Sequence, residues 1–161
     1  MKQVSWQCTE NVGVRCEQKV KALSKSVLLK FLRKVDNDFV PSLSQKTDLE
    51  AFCTKIMSKA MLFVSYAKDG NINGLVVMYA NDFEHHYSYV SLVAVDLSFR
   101  KQGIADGLMR KVINYVKNLG KDKINCIGIH TNNAIALHLY EKLGFVVQSE
   151  LDNRKYLEMK F

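Results

Sequence analysis

The chain has 161 residues, is 48% hydrophobic and 24% charged, and carries a formal net charge of +7. This size and composition are typical of one globular domain, which we expect to span residues 1–161. No apolar run approaches the 18 residues of a membrane-spanning helix, and no signal-peptide core stands near the start. We therefore expect no membrane span and a cytoplasmic location.

The four cysteines, Cys8, Cys16, Cys53 and Cys126, are scattered and form no Cys-x-x-Cys pair. We expect reduced thiols, with neither a metal site nor a disulfide framework. The positive charge is compatible with nucleic acid, an acidic membrane surface or a polyanionic small molecule. A nucleic-acid partner is not expected, because the aromatic residues are spaced as core residues and not as a stacking platform.

The first half of the chain predicts two helices. Residues 18–35 have apolar positions at helical spacing, with lysines on the other face. The segment "FVPSLSQK" that follows is predicted to be a loop around Pro41. Residues 47–60 predict a second helix, with Thr47 as N-cap and Glu50 completing a capping box.

The second half alternates strands and helices. "MLFVSYA" and "LVVMYA" predict a hairpin, and "HYSYVSLVAV" predicts a central strand. Helices are predicted from Ile104 to Gly120 and over "NNAIALHLYEKLGF", with the strand "INCIGI" between them and the strands "FVVQSE" and "RKYLEMKF" at the end. The order indicates an α/β layered fold of the α+β type with a mixed sheet.

The segment "SFRKQGIADGL" joins the central strand to a helix. Helix N-termini expose unpaired N–H groups and the positive end of the helix dipole. Gly103, Ala105 and Gly107 would let a ligand approach the backbone, and the guanidinium of Arg100 suits phosphate oxygens. The junction is therefore a candidate site for a diphosphate, or simply a turn that opens a helix.

The later helix adds a second candidate feature. Asn133, Ala136 and Tyr140 fall at helical spacing and share roughly one face. The phenol of Tyr140, with a reference pKa of about 10, is protonated at neutral pH and can donate a proton. The alternatives are an N-cap role for Asn133 and a core role for Tyr140.

Together these two segments resemble the GNAT acetyltransferase superfamily. The family's Arg/Gln-x-x-Gly-x-Gly/Ala motif stands here as Arg100-Lys101-Gln102-Gly103-Ile104-Ala105. The strand with "VAV" precedes it, and the Asn133, Ala136, Tyr140 and Gly144 pattern follows at the expected distance. The resemblance covers the chain from about residue 47 to its end. It implies a mostly antiparallel sheet of about six to seven strands, flanked by helices, whose two central parallel strands splay apart.

The resemblance also implies a site for acetyl-CoA, without a metal. The pantetheine arm would lie along the splayed strand at Val93, Ala94 and Val95, and would contact Asn133. Tyr140 would protonate the departing thiolate. The remaining cofactor-binding residues implied are Arg100, Lys101, Gln102, Gly103, Ile104, Ala105, Asp106, Gly107 and Ala136. Asp106 departs from the usual basic or hydroxyl residue of the family.

The general base and the acceptor stay open at this stage. Glu84 and His85 are the candidate bases, with His86, a water molecule or an acceptor that arrives neutral as alternatives. His130 is expected nearer the cleft, and His138 on the surface. The expected reaction is transfer of an acetyl group to a small primary amine such as an amino sugar. We also expect that the protein can form a homodimer. The alternatives are a protein or peptide acceptor, or CoA binding without turnover.

Overall fold

A computed structural model describes residues 23–161. Its helices are α1 (Lys25–Val35), α2 (Leu43–Lys46), α3 (Leu49–Lys59), α4 (Ile104–Leu119) and α5 (Ala134–Leu143). Its strands are β1 (Met61–Tyr66), β2 (Ile72–Asp82), β3 (Tyr87–Val95), β4 (Cys126–Thr131), β5 (Val146–Leu151) and β6 (Arg154–Lys160). The part of the predicted first helix at residues 18–22, together with Cys8 and Cys16, lies outside the described residues.

The six strands form one sheet in the order β1-β2-β3-β4-β6-β5. Only the central pair, β3 with β4, is parallel, and every other neighbouring pair is antiparallel. Helix α4 supplies the crossover that a parallel pair requires. The prediction of a mixed, mostly antiparallel sheet flanked by helices is confirmed.

Each face of the sheet carries its own hydrophobic core. One core lies between the sheet and α4 and α5, and includes Phe63, Met109, Ile127 and Leu157. The other lies under α1 and α3, and includes Leu28, Ile56 and Leu92. None of the helices within residues 23–161 is long and apolar enough to cross a membrane.

Two predictions at the first helices are wrong in detail. The stretch predicted as a loop contains α2, which begins after Pro41 and places the Gln45 side chain where it accepts a hydrogen bond from the Ser42 N–H, 3.1 Å away. Thr47 is not the N-cap of the next helix. It is the C-cap of α2, and its N–H donates to the Leu43 carbonyl. Asp48 caps α3 instead, accepting from the Ala51 N–H at 2.7 Å.

The central parallel pair separates partway along its length. Its register runs from Tyr87 opposite Cys126 only to Val90 opposite Ile129, although β3 continues to Val95. At the same point β3 holds an extra residue, Ser91, because Val90 pairs with Met78 and Leu92 with Val77. A bulge of this kind bends its strand and re-aims the residues beyond it. We call the resulting gap between β3 and β4 the fork.

Candidate functional site

The open edge of β3 presents backbone groups to the fork. The Asp96 N–H donates to the Asn73 carbonyl on β2 at 3.0 Å, so the alternate residues Val93 and Val95 direct their backbone groups towards the other edge. The Val95 carbonyl accepts from Arg100 Nε there, at 3.1 Å. Ala94 differs from its neighbours, because its backbone faces β2 and its side chain is buried under α1 and α3.

The turn after β3 forms a cluster of unpaired backbone N–H groups. Lys101 and Gly103 both have positive φ angles, +62° and +78°, and Gly103 caps α4 without any side-chain hydrogen bond. The first helical bond of α4 runs from the Gly107 N–H to the Gly103 carbonyl at 2.9 Å. The N–H groups of residues 103–106 therefore have no intrahelical acceptor. We call this set of N–H groups the amide cradle.

The space above the amide cradle is open. A Cβ atom placed on Gly103 or Gly107 would meet no heavy atom within 4 Å. Gln102 is exposed, whereas Ile104 and Ala105 are half-buried, and Ile104 packs against the core on this side of the sheet. A diphosphate fits this arrangement, because the N–H groups and the helix dipole both favour an anion.

The charged side chains of Asp106 and Arg100, beside the cradle, are already paired. The Asp106 carboxylate accepts from Arg110 Nε at 2.6 Å and lies 3.6 Å from Lys142 Nζ. The hydrogen bond from Arg110 is the main cause that lowers the pKa of Asp106. Arg100 forms an ion pair with Asp38 in addition to its bond to Val95. Asp106 thus points along α4, and the guanidinium of Arg100 is held by protein groups.

Helix α5 brings further predicted residues to the α4 side of the sheet. Asn133 caps the helix through Oδ1, which accepts from the N–H groups of Ile135 and Ala136, so its Nδ2 remains a donor. Tyr140 is 4% exposed, and its burial raises the pKa of the phenol well above the usual value. Ala136, Val93 and Ile104 all pack against the core that contains Tyr140.

The structure does not bring Glu84 and His85 to the fork. Both are exposed in the turn between β2 and β3, where His85 contacts the Asp82 carboxylate at 2.9 Å. The bulge at Ser91 lies four residues beyond the start of β3 at Tyr87, which is about 13 Å along the strand at about 3.3 Å per residue. His86 bonds to the Lys123 carbonyl, and His138 is exposed on α5.

A cluster of aromatic residues stands at the fork instead, on the sheet face opposite α4. Tyr89 Oη lies 3.1 Å from His130 Nδ1, and the His130 ring lies 4.7 Å from that of Tyr156. His130 is the first residue of β4 beyond its pairing with β3. Partial desolvation of its ring, and then the positive charge of Arg154, lower the pKa of His130 below its usual value, although the residue as a whole is exposed. His130 is therefore neutral at pH 7 and able to accept a proton.

Below His130 the cluster continues as a hydrogen-bonded chain. Tyr87 Oη lies 3.0 Å from Tyr156 Oη, which donates to Glu158 Oε1 at 2.7 Å. That last bond is the main cause that lowers the pKa of Glu158, which is therefore anionic. These hydrogen-bonded side chains pass over Gly128. A Cβ atom at that position would lie 1.9 Å from Tyr87 Oη and 2.8 Å from Tyr156 Oη.

We expect Gly128→Ala to displace Tyr87 and Tyr156 and to disturb the stack under His130. Overpacking of this kind costs about 1–3 kcal/mol of unfolding free energy, measured by urea denaturation. In a Tyr87→Ala background the same substitution should cost less, because the closest contact has been removed. An equal cost in both backgrounds would contradict the contact with Tyr87 as the cause.

Sequence reasoning expected His130 near the cleft, but it did not predict the tyrosines and Glu158 that surround it. The alternation of β4 puts Gly128 and His130 on one face, but the neighbour of β4 on its other side is β6, from the far end of the chain.

Residues 23–161 hold no group of three His, Cys, Asp or Glu side chains placed for a metal ion. Cys53 and Cys126 are free and buried.

A curated protein is similar in sequence to part of this chain. The chain is 29% identical over 104 residues to GCN5-related N-acetyltransferase 6, chloroplastic, of Arabidopsis thaliana, matching 62% of this chain and 31% of that protein. The chain thus spans about a third of the length of this relative.

Solved structures share the fold. A GNAT family acetyltransferase from Elizabethkingia anophelis with acetyl-CoA bound has a TM-score of 0.57 at 21% identity, over 69% of this chain and 82% of that one. The ribosomal-protein-alanine N-acetyltransferase of Brucella melitensis has a TM-score of 0.68 at 17% identity, over 86% and 97%. The family model of the acetyltransferase (GNAT) family matches residues 29–145, and the chain belongs to this family.

Proposed function

We propose that this protein transfers the acetyl group of acetyl-CoA to a small primary amine. The observation that carries the proposal is the fork, which has the amide cradle at one end. The buried phenol of Tyr140 lies on one side of the sheet, and the neutral imidazole of His130 lies on the other. Acetyl-CoA would supply an acetyl thioester, whose carbonyl carbon a neutral amine can attack. The amide cradle would hold its diphosphate, and the open edge of β3 its pantetheine arm.

The residues of the chain would divide the proton transfers between them. His130 would accept the proton of the attacking amine, with Tyr89 fixing the orientation of its ring. Tyr140, kept protonated by its burial, would donate a proton to the departing sulfur. A backbone N–H at the bulge of β3 would stabilise the negative charge that develops on the carbonyl oxygen.

The segment between α1 and α2 favours a small acceptor over a peptide. Asp38 pairs with Arg100, which follows β3, and the Val40 carbonyl accepts from Asn132 Nδ2, which follows β4, at 3.2 Å. Residues 38–40 therefore link the two segments that follow β3 and β4 beyond the fork. This link would narrow the opening of the fork, which an extended peptide acceptor would need.

The first experiment is an acetylation assay with a panel of primary amines, read by detection of free CoA thiol and by the mass of the product. Acetylation of at least one amine supports the proposal. Binding of acetyl-CoA without transfer to any amine would favour the alternative of a CoA-binding protein without turnover. Transfer to the N-terminus of a peptide but to no small amine would favour a peptide acceptor.

The amide cradle can be tested separately by Gly107→Glu. Side chains of a helix lean towards its N-terminus, so the introduced carboxylate would reach the cradle and compete with a diphosphate. We expect the affinity for CoA to fall by roughly tenfold or more, which corresponds to about 1.4 kcal/mol, in calorimetric titration. Gly107→Gln is the matched neutral control. Equal affinities of the two variants would contradict the cradle as the diphosphate site.

A further inference from the structure

Arg154 is the one arginine within residues 23–161 that has no acidic partner. The other three pair with carboxylates: Arg33 with Glu50, Arg100 with Asp38 and Arg110 with Asp106. Arg154 is exposed and forms neither an ion pair nor a hydrogen bond with any described residue. Its charge is thus available to a group from outside the protein.

The hairpin between β5 and β6 fixes the position of Arg154. Asp152 and Asn153 have positive φ angles of 50° and 61°, which is the conformation of a two-residue type I′ turn. Arg154 follows at once as the first residue of β6, paired with Leu151. Its backbone is therefore held by a tight turn and by the sheet, and only its side chain is free to reach a ligand.

The sheet register places Arg154 beside the candidate base. His130 on β4 pairs with Tyr156 on β6, and Arg154 stands two residues before Tyr156 on the same face. Such diagonal neighbours lie about 7–8 Å apart, within reach of a long side chain. The positive charge of Arg154 also contributes to the lowered pKa of His130, which is consistent with this proximity.

The remaining charges on this stretch of β6 compensate one another. Glu158 accepts a hydrogen bond from Tyr156 and lies 3.1 Å from Lys160 Nζ. Arg154 is therefore an uncompensated positive charge next to the group that would deprotonate the acceptor. A simple ammonium would be repelled there, whereas an acceptor that also carries an anion would be attracted.

We propose that the acceptor is a small primary amine that also carries a carboxylate or phosphate, and that Arg154 binds this anion while His130 receives the amine proton. This inference rests on the proposed function. The planar guanidinium can donate two parallel hydrogen bonds to either kind of anion, which fixes the orientation of the acceptor as well as its affinity. The diagonal placement of Arg154 and His130, about 7–8 Å apart, suits an acceptor whose nitrogen and anion are separated by a few bonds.

The test compares two pairs of amines that differ in the anion. The pairs are 3-aminopropanoate with propylamine, and O-phosphoethanolamine with ethanolamine. We expect kcat/KM to favour at least one anionic member over its neutral partner by roughly 10–100-fold, since a hydrogen bond to a charged group is worth about 1.5–3 kcal/mol. The pair that shows the preference identifies the anion as carboxylate or phosphate.

Arg154→Gln should abolish this preference, mainly by raising the KM of the anionic amine relative to that of its neutral partner. Arg154→Lys should keep part of the preference, because it retains the charge but loses the fork geometry. Arg33→Gln is the control, since it removes an exposed arginine that pairs elsewhere. Circular dichroism of each variant checks that the fold is retained.

The outcomes separate this inference from the proposed function. Acetylation of the neutral amines without preference for their anionic partners overturns the role of Arg154 and leaves acetyl transfer to amines intact. A preference that is unchanged by Arg154→Gln overturns it equally. Absence of transfer to all four amines and to the wider panel overturns the proposed function, and this inference with it.

Discussion

His130→Ala should lower kcat by about 10²–10⁴-fold, which is the usual contribution of a positioned general base. The affinity for CoA should stay unchanged, because His130 lies on the face of the sheet opposite α4 and the amide cradle. His138→Ala is the matched control, since His138 is exposed on α5. A His130→Ala variant with the activity of the original protein would contradict the assignment of the base.

The pH profile gives an independent readout of the same residue. Because the pKa of His130 is lowered, its neutral form persists below the ordinary value of about 6.5. We expect the original protein to lose activity only as the pH falls through this lowered pKa and His130 becomes protonated. In His130→Ala this acidic limb should be absent. An acidic limb at the same pH in both proteins would assign it to another group.

Tyr140→Phe should lower kcat by about 10²–10⁴-fold, with little change in the affinity for CoA. The substitution keeps the ring, which packs against Phe145 with ring centres 6.0 Å apart, and removes only the hydroxyl. The departing thiolate would then leave without a proton donor. The measurements are steady-state kinetics and calorimetric titration with CoA.

Tyr115→Phe is the control for this variant. Tyr115 on α4 is partly buried and packs its ring edge-on against Phe63, so its replacement removes a hydroxyl elsewhere beside the same core. Both variants should unfold within a few degrees of the original protein. Equal kcat values for the two variants would contradict the role of Tyr140 as proton donor, and a matching loss of CoA affinity in Tyr140→Phe would point to a binding role instead.

Local patterns in the sequence were sufficient for most of the elements. The periodicity of residues 104–119, followed by Gly120, predicted α4, and Gly120 is its C-cap with a φ of +89°. The helix predicted over "NNAIALHLYEKLGF" is α5, with Asn133 as its N-cap and Gly144 as its C-cap. These features are readable because helix caps and apolar periodicity depend on residues within a few positions of one another. The capping of α3 was misread, because Thr47 and Asp48 are both good caps and the preceding α2 engages Thr47.

The turn after β3 was likewise readable from the chain alone. Small residues at 103 and 105 directly after an apolar strand indicate exposed helix N–H groups, and the structure has them without an acceptor in α4. The pairing of Arg100 with Asp38 was not predictable, because Asp38 is 62 positions away. The same holds for the ion pair of Asp106 with Lys142 on α5.

The sequence by itself determined the class of the fold, the order of its elements apart from α2, and one end of the candidate site, since each depends on short-range patterns. At the other end the sequence placed only His130 near the cleft, and tertiary structure decided which residues surround it. Only the insertion of β6 beside β4 brings Tyr156 and Arg154 to His130, and only the separation of β3 from β4 leaves His130 at an opening. Glu84 and His85 lie in the turn before β3, at the opposite end of its pairing with β4 from the fork. The candidate base is therefore set by strand order and register, which are properties of the whole sheet and not of any segment.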